Sequence, residues 1–316
     1  MSRPVDHWLY KTSPMLWAHE KLGFRSDEKQ SEFLDCQRSD IILNWCRQSG
    51  KTSCSGIKAA NFAIFQDPPN LSLIVSATQR QAGILQKVVL RALQANLKGG
   101  RGWRETGKAV DLPVDPLDEG SDIVRCSVLS LELGNGSEVV SVPASADTVR
   151  GYSPNLIIMD EASRIRRETY DAVMPMRASK PVQLILTSTP AGRRGFFFTE
   201  WFSDDLAWWK SEYDAASCPR ISQEFLDREE LKMSNAAVFR QEYFLEFVEM
   251  AGALFSNEQI DSIFEGFEEA KPLGTVAEDI IVEGEVYGTE LCPKCGTVHH
   301  PLDSCPAVPW KIPRGA

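Results

Sequence analysis

No apolar run in the 316-residue sequence approaches the roughly 18 residues that a membrane span needs, and the longest, residues 71–77 and 156–159, are far shorter. Nor does the start, Met-Ser-Arg-Pro-Val-Asp, contain the apolar core of a signal peptide. Positive charge is in deficit: 34 Lys+Arg against 44 Asp+Glu leave a net charge of −10, which excludes a protein that coats nucleic acid by charge alone. Histidine is scarce, four in all, and two of these are His299 and His300. There is no internal repeat. These absences predict a cytosolic chain without a membrane partner, in which any contact with DNA is local.

Cysteine is unevenly spread. Cys36, Cys46, Cys54, Cys126 and Cys218 are scattered, whereas the other three crowd into residues 292–305. That distribution suits reduced thiols plus a metal site better than a disulfide framework. Basic residues gather around Arg150, Arg164, Arg166, Arg167, Arg177, Lys180, Arg193 and Arg194, and residues 224–285 are mainly acidic. The basic group reads either as solvated helix faces or as a surface that tracks phosphate.

A hydrophobic content of 43% is ample for one large α/β domain with accessories. The apolar run 41–45, a polar turn and a helical pattern over 52–65 make a strand-loop-helix unit. Residues 71–77 and 79–97 repeat the order, and Gly99-Gly100 end it. Runs 122–133 and 138–142 flank Gly134-Asn135-Gly136, a hairpin signal. Further core strands are expected at 156–159 and 182–187. Strands alternating with helices predict a mostly parallel, doubly wound sheet with its ligand at the carboxyl ends of the strands. The expected divisions are a core over residues 1–200, a small helical lid subdomain over 201–255 with helices at 225–233 and 236–247, a linker over 256–290 and a separate module over 291–316.

The first loop reads Arg47-Gln48-Ser49-Gly50-Lys51-Thr52-Ser53, the second half of a phosphate-binding loop. Such a loop needs backbone N–H groups at a helix N-terminus, a glycine for close approach, a lysine for the phosphates and a hydroxyl for Mg²⁺. Gly50, Lys51 and Thr52 supply the last three. The usual first glycine is missing, because Trp45 holds its position. Asp160-Glu161 ends the strand at 156–159, where an aspartate can hold the Mg²⁺ shell and a glutamate can polarise the attacking water. Thr187-Ser188-Thr189-Pro190 ends the next strand, either as a simple turn or as hydroxyls that sense the terminal phosphate.

In this order the motifs resemble the ATPase half of the terminase large subunits of tailed bacteriophages. Arg-Gln before Ser-Gly-Lys-Thr is similar to that family's deviant loop. Ser76-Ala77-Thr78 with Arg80-Gln81-Ala82, Val149-Arg150-Gly151, and Thr187-Ser188-Thr189-Pro190 before Gly192 and Phe196-Phe197-Phe198 keep its order. Cys218-Pro219-Arg220-Ile221-Ser222 and Phe239-Arg240-Gln241-Glu242-Tyr243 resemble its lid region, so the likeness spans about residues 20–255. It implies a P-loop NTPase fold and an ATP-hydrolysing motor that moves double-stranded DNA into a procapsid. Lys51 would bind phosphate, Thr52 and Asp160 would hold Mg²⁺, Glu161 would be the catalytic carboxylate and Arg47 would stabilise γ-phosphate charge. Gln30 would read adenine unless it is a surface residue, and Thr187, Ser188 and Thr189 would couple hydrolysis to movement. Arg150 would reach a neighbouring subunit or DNA unless it forms a structural ion pair. Implied partners are a portal protein, a small terminase subunit and further copies in a ring, with the motor in the host cytoplasm and docked transiently on the procapsid. The rival readings are a helicase-like DNA-remodelling ATPase and a zinc-dependent DNA-binding adaptor with a degenerate core.

Only about 60 residues follow Phe255, too few for the RNase H-like nuclease domain of a full large subunit. Nuclease activity is therefore not expected from this chain, and a separate nuclease polypeptide is a possible partner. The tail has instead Cys292, Cys295, His300 and Cys305 in a C-x₂-C-x₄-H-x₄-C spacing that resembles a zinc knuckle, with His299 as the alternative ligand. Three thiolates and an imidazole suit a closed tetrahedral structural Zn²⁺ site.

Overall fold

The computed structural model describes residues 4–96, 101–102, 110–111, 123–233, 235–248, 280–282 and 285–287. The chain divides into two units, residues 1–253 and 254–316. In the second, Ile280–Val282 pairs antiparallel with Glu285–Tyr287.

The first unit is built on a sheet of eight strands: β1 Asp40–Trp45, β2 Leu71–Ser76, β3 Ile123–Cys126, β4 Ser130–Leu133, β5 Glu138–Pro143, β6 Leu156–Asp160, β7 Gln183–Ser188 and β8 Trp208–Tyr213. Their spatial order is β8-β1-β7-β6-β2-β5-β4-β3. The six strands from β8 to β5 run parallel, and β4 and β3 add an antiparallel edge. The helices used below are α1 Pro4–Thr12, α2 Glu28–Asp35, α3 Lys51–Phe65, α4 Gln79–Asn96, α5 Arg167–Val173, α6 Gly195–Phe202, α7 Gln223–Lys232 and α8 Ala236–Phe244.

Apolar residues occupy consecutive positions in the central strands because both sheet faces are covered, and successive side chains point to opposite faces. Ile41, Leu43, Trp45, Ile74, Ile158 and Ile185 pack with Phe33, Ile57, Leu85 and Val89 on one side. Ile42, Leu73, Val75, Ile157, Met159, Leu184 and Leu186 pack with Val149, Tyr170, Phe196 and Phe197 on the other. Such two-sided burial explains why these strands read so clearly. Helices α3 and α4 touch at Gly56, where an added Cβ would collide with the Val88 side chain. A small third cluster joins Leu226 of α7 and Phe239 and Tyr243 of α8 to Cys46, the residue that follows β1.

Two sequence expectations change. The run 122–133 is two strands, not one, because Ser127 turns the chain: its Oγ accepts from the N–H groups of Leu129 and Ser130 at 3.3 and 2.9 Å. The expected hairpin survives between β4 and β5, with Gly136 at φ +81° in its turn. The segment 201–255 is not wholly helical, since Trp208–Tyr213 forms the edge strand β8 alongside β1.

Strand register sets a polar row across the carboxyl edge. Asn44 lies beside Ser188, and Asp160 lies between Thr187 and Ser76. All five are buried, and Asn44 Oδ1, Thr187 Oγ1 and Ser76 Oγ have no hydrogen-bond partner. Burying such atoms unpaired is costly, so a row of them marks a place where the fold serves something other than stability.

Candidate functional site

A cavity of about 450 Å³ opens at this carboxyl edge. The loop after β1 and the first turn of α3 form one wall through Arg47, Gln48, Gly50, Lys51, Thr52 and Ser53. Glu161 and Arg164 from the turn after β6, Thr189 from the end of β7, Gln81 of α4 and Glu242 of α8 complete it. The N-terminus of α3 borders this space with unpaired N–H groups and a positive dipole end, both suited to an anion.

Lys51 is 8% exposed, and its Nζ donates to the carbonyls of Trp45 at 2.7 Å and Cys46 at 2.9 Å. Burial lowers its pKa from the ordinary lysine value, and nearby carboxylates, Glu161 first among them, pull it back. Gly50 sits at φ +88°, and a Cβ there would collide with the Gln30 amide. Gln48 at φ 64° and Glu161 at φ 56° adopt the left-handed region without being glycine. Each such residue costs on the order of 1–3 kcal/mol, and both lie on the cavity wall.

Asp160 is 4% exposed and lies beneath the cavity wall. Burial, then the neighbouring Glu161, raises its pKa to about 7, against the pull of Lys51. Glu161 Oε2 is shielded from solvent and makes no hydrogen bond, although Arg164 Nε lies 3.8 Å away. Ser188 Oγ bonds Ser163 Oγ at 2.7 Å and accepts from Ser163 N–H at 3.2 Å, tying β7 to the turn that carries Glu161.

The structure brings most of the expected residues together, with exceptions. Thr189 faces the cavity, whereas Thr187 and Ser188 are buried behind it. Arg150 is exposed, pairs with Asp147 at 3.4 Å and does not line the cavity. Gln30 is 2% exposed, so it is not the surface residue that was one of its two readings. Its Nε2 donates to the Ser49 carbonyl at 2.9 Å and its Oε1 accepts from Asp27 N–H at 3.3 Å, which makes it a brace under the loop. Cys292, Cys295, His300, its alternative His299 and Cys305 lie outside the described residues.

Sequence reasoning missed the other half of that brace. Arg220 Nη2 donates to the Ser49 carbonyl at 2.6 Å and Nη1 pairs with Asp27 at 2.7 Å. Tyr213 at the end of β8 donates to Asp27 as well, at 2.7 Å. Asp27 caps α2, and Asp-x-x-Gln before a helix is a readable capping signal. Arg220 and Glu242 stand in the two lid-like motifs and Arg164 in the basic group, but nothing in those motifs points to these contacts.

Several solved structures share this fold. The ATPase domain of the Thermus phage P74-26 large terminase is 19% identical with a TM-score of 0.56, over 75% of this chain and 99% of that one. The large terminase of the thermophilic bacteriophage D6E, solved with ADP, is 14% identical with a TM-score of 0.54, over 71% of this chain and 54% of that one. The HK97 bacteriophage large terminase is 16% identical with a TM-score of 0.53, over 74% and 54%. The chain thus spans about half the length of the last two. At these identities the likeness establishes the α/β fold. Sequence carries the family: the model described as "Terminase large subunit, T4likevirus-type, N-terminal" matches residues 42–262, the larger part of the chain, and the protein belongs to that family.

Proposed function

We propose that this chain is the ATP-hydrolysing engine of a viral DNA-packaging motor. The observation that carries the reading is the meeting of Lys51 and Glu161 at one cavity on the carboxyl edge of a parallel sheet, with the buried Asp160 next to Glu161 in the chain and Glu161 Oε2 making no hydrogen bond. The loop 47–53 is read as a P-loop, with Lys51 and the backbone around Ser49 and Gly50 on the phosphates. The donor set fits Mg²⁺, since the Thr52 hydroxyl and the Asp160 carboxylate are hard oxygen ligands beside the expected phosphates. When bound there, the ion neutralises charge on the phosphate oxygens. Glu161 orients and deprotonates the attacking water, and Arg47 on the rim stabilises charge on the terminal phosphate.

Thr189 is the best placed of the three proposed coupling residues to feel the terminal phosphate, and Ser188 passes strain to Ser163. We read Gln30 as positioning the loop rather than as touching adenine. Arg150, exposed on the short turn after Ala146–Val149, is available to a neighbouring copy in a ring. The family likeness supports double-stranded DNA as the track, a portal protein and a small terminase subunit as partners, and a transient dock on the procapsid. Among the described residues no helix is long and apolar enough to cross a membrane.

The test is Glu161→Gln, which keeps size and removes the base. Nucleotide binding should persist while Mg²⁺-dependent ATP turnover falls by roughly 10²-fold or more. Unchanged turnover in that variant would sink the assignment.

A further inference from the structure

The cavity contains one carboxylate that the chemistry above does not use. Glu242 comes from α8, far along the chain from the loop, yet it is 8% exposed on the cavity wall. Its Oε1 accepts from Arg164 Nη2 at 3.1 Å and its Oε2 from Thr189 Oγ1 at 3.5 Å. Its main-chain carbonyl accepts from the Arg47 N–H at 2.9 Å. Arg164 is shared, because its Nε also lies 3.8 Å from Glu161 Oε2. One guanidinium therefore spans two carboxylates, and one carboxylate joins the turn after β6, the end of β7 and α8.

We propose that Glu242 is a positioning residue that holds Arg164 until a triphosphate enters, so that the Arg164–Glu242 pair opens on triphosphate and re-forms on diphosphate. The inference rests on the nucleotide reading of the same cavity. A terminal phosphate is a stronger, doubly charged acceptor for a guanidinium than a carboxylate is. Arg164 therefore leaves Glu242 for the phosphate. A diphosphate lacks that group and leaves the pair intact. The consequence reaches α8, since Phe239 and Tyr243 flank Glu242 in the cluster that rests on Cys46 at the root of the loop. Loss of the Arg164 contact loosens α8 from the catalytic edge, and its return draws the helix back.

The experiment measures Kd for ATP-γ-S and for ADP, with Mg²⁺, on the full chain and on Glu242→Gln, Arg164→Ala and the double variant. In Glu242→Gln the preference for ATP-γ-S over ADP should rise about tenfold, the worth of one charge-assisted hydrogen bond no longer competed for. That rise should vanish when Arg164 is also removed. A side chain that only packs would shift both ligands alike. If Glu242→Gln does not fold, Glu242→Asp, which keeps the charge but withdraws it from Arg164, should raise the preference in the same direction. Wild-type protein that binds ATP-γ-S, with a variant preference within twofold of it or a rise that survives without Arg164, overturns the latch alone. Wild-type protein that binds neither nucleotide overturns the nucleotide reading and the latch together.

Discussion

Asp160 shows how a single buried carboxyl trades stability for a site. Its folded pKa of about 7 lies above the ordinary 3.8, so the folded chain holds a proton that the unfolded chain releases. The contribution is fully present below about pH 4 and is lost as pH rises through 7. Asp160→Asn, neutral at every pH, should therefore melt at a higher temperature than the wild type at pH 8, keep a smaller advantage at pH 5 and lose it near pH 4. The difference at pH 8 should reach up to roughly 4 kcal/mol, the ceiling for a shift of that size. Melting curves across pH 4–8.5 check this, and a gap that is the same at both ends would contradict it. Asp160 and Glu161 were legible in the sequence because a buried strand that ends in two carboxylates has little structural use for them. The contacts of Glu242 and Arg220 were not legible, although both residues stand in family-like motifs, because each meets the loop only through folding.

At the scale of elements, the contact between α3 and α4 gives a sharp test. Glycine inside a helix costs about 1 kcal/mol relative to alanine, so propensity alone favours Gly56→Ala. The collision with Val88 opposes it, because the obstructing atoms belong to a short, stiff side chain. Packing should win, with Gly56→Ala destabilising by roughly 1–3 kcal/mol. Gly56→Ala with Val88→Ala should be less unstable than the sum of the two single changes. Strictly additive denaturation midpoints would mean that the helices do not meet there. The elements read most clearly from sequence were those buried on both faces, β1, β2, β6 and β7, with the helices α3 and α4 that cover them, while the β4–β5 hairpin showed in its Asn-Gly turn and α7 and α8 in their helical patterns. Strand β8 escaped notice because Trp208–Tyr213 sits at an edge, with Glu212 exposed and Lys210 half-buried, so its apolar run is broken. The break at Ser127 was hidden for a different reason: the side-chain turn sits inside a run whose composition reads as continuous strand.

At the scale of the whole molecule, the zinc module proposed for residues 291–316 lies outside the described residues and rests on chemistry alone. Cys292, Cys295, His300 and Cys305 supply three soft thiolates and an imidazole, the donor set of a closed structural Zn²⁺ site. Metal analysis should find one zinc per chain, and Cys295→Ser should lose it. Zinc should also be released as pH falls, because the ligands must give up their protons to bind. An absence of zinc from the wild type, or equal zinc in both proteins, would end the assignment.

The order of the strands has a consequence for how the protein is made. β1 carries the loop of the site, yet its neighbours in the sheet are β7 and β8, both late in the chain. A ribosome must add the residues from 45 to 213 before both sides of β1 are covered, a wait of roughly ten to thirty seconds at ordinary rates of synthesis. Until β7 is complete at Ser188 this apolar strand has two open edges, and until Tyr213 it has one, the kind of surface on which nascent chains stick to one another. Asp27 waits for Arg220 over the same stretch. The site is thus born incomplete, and a chain halted before Arg220 has the loop without the grip that shapes it.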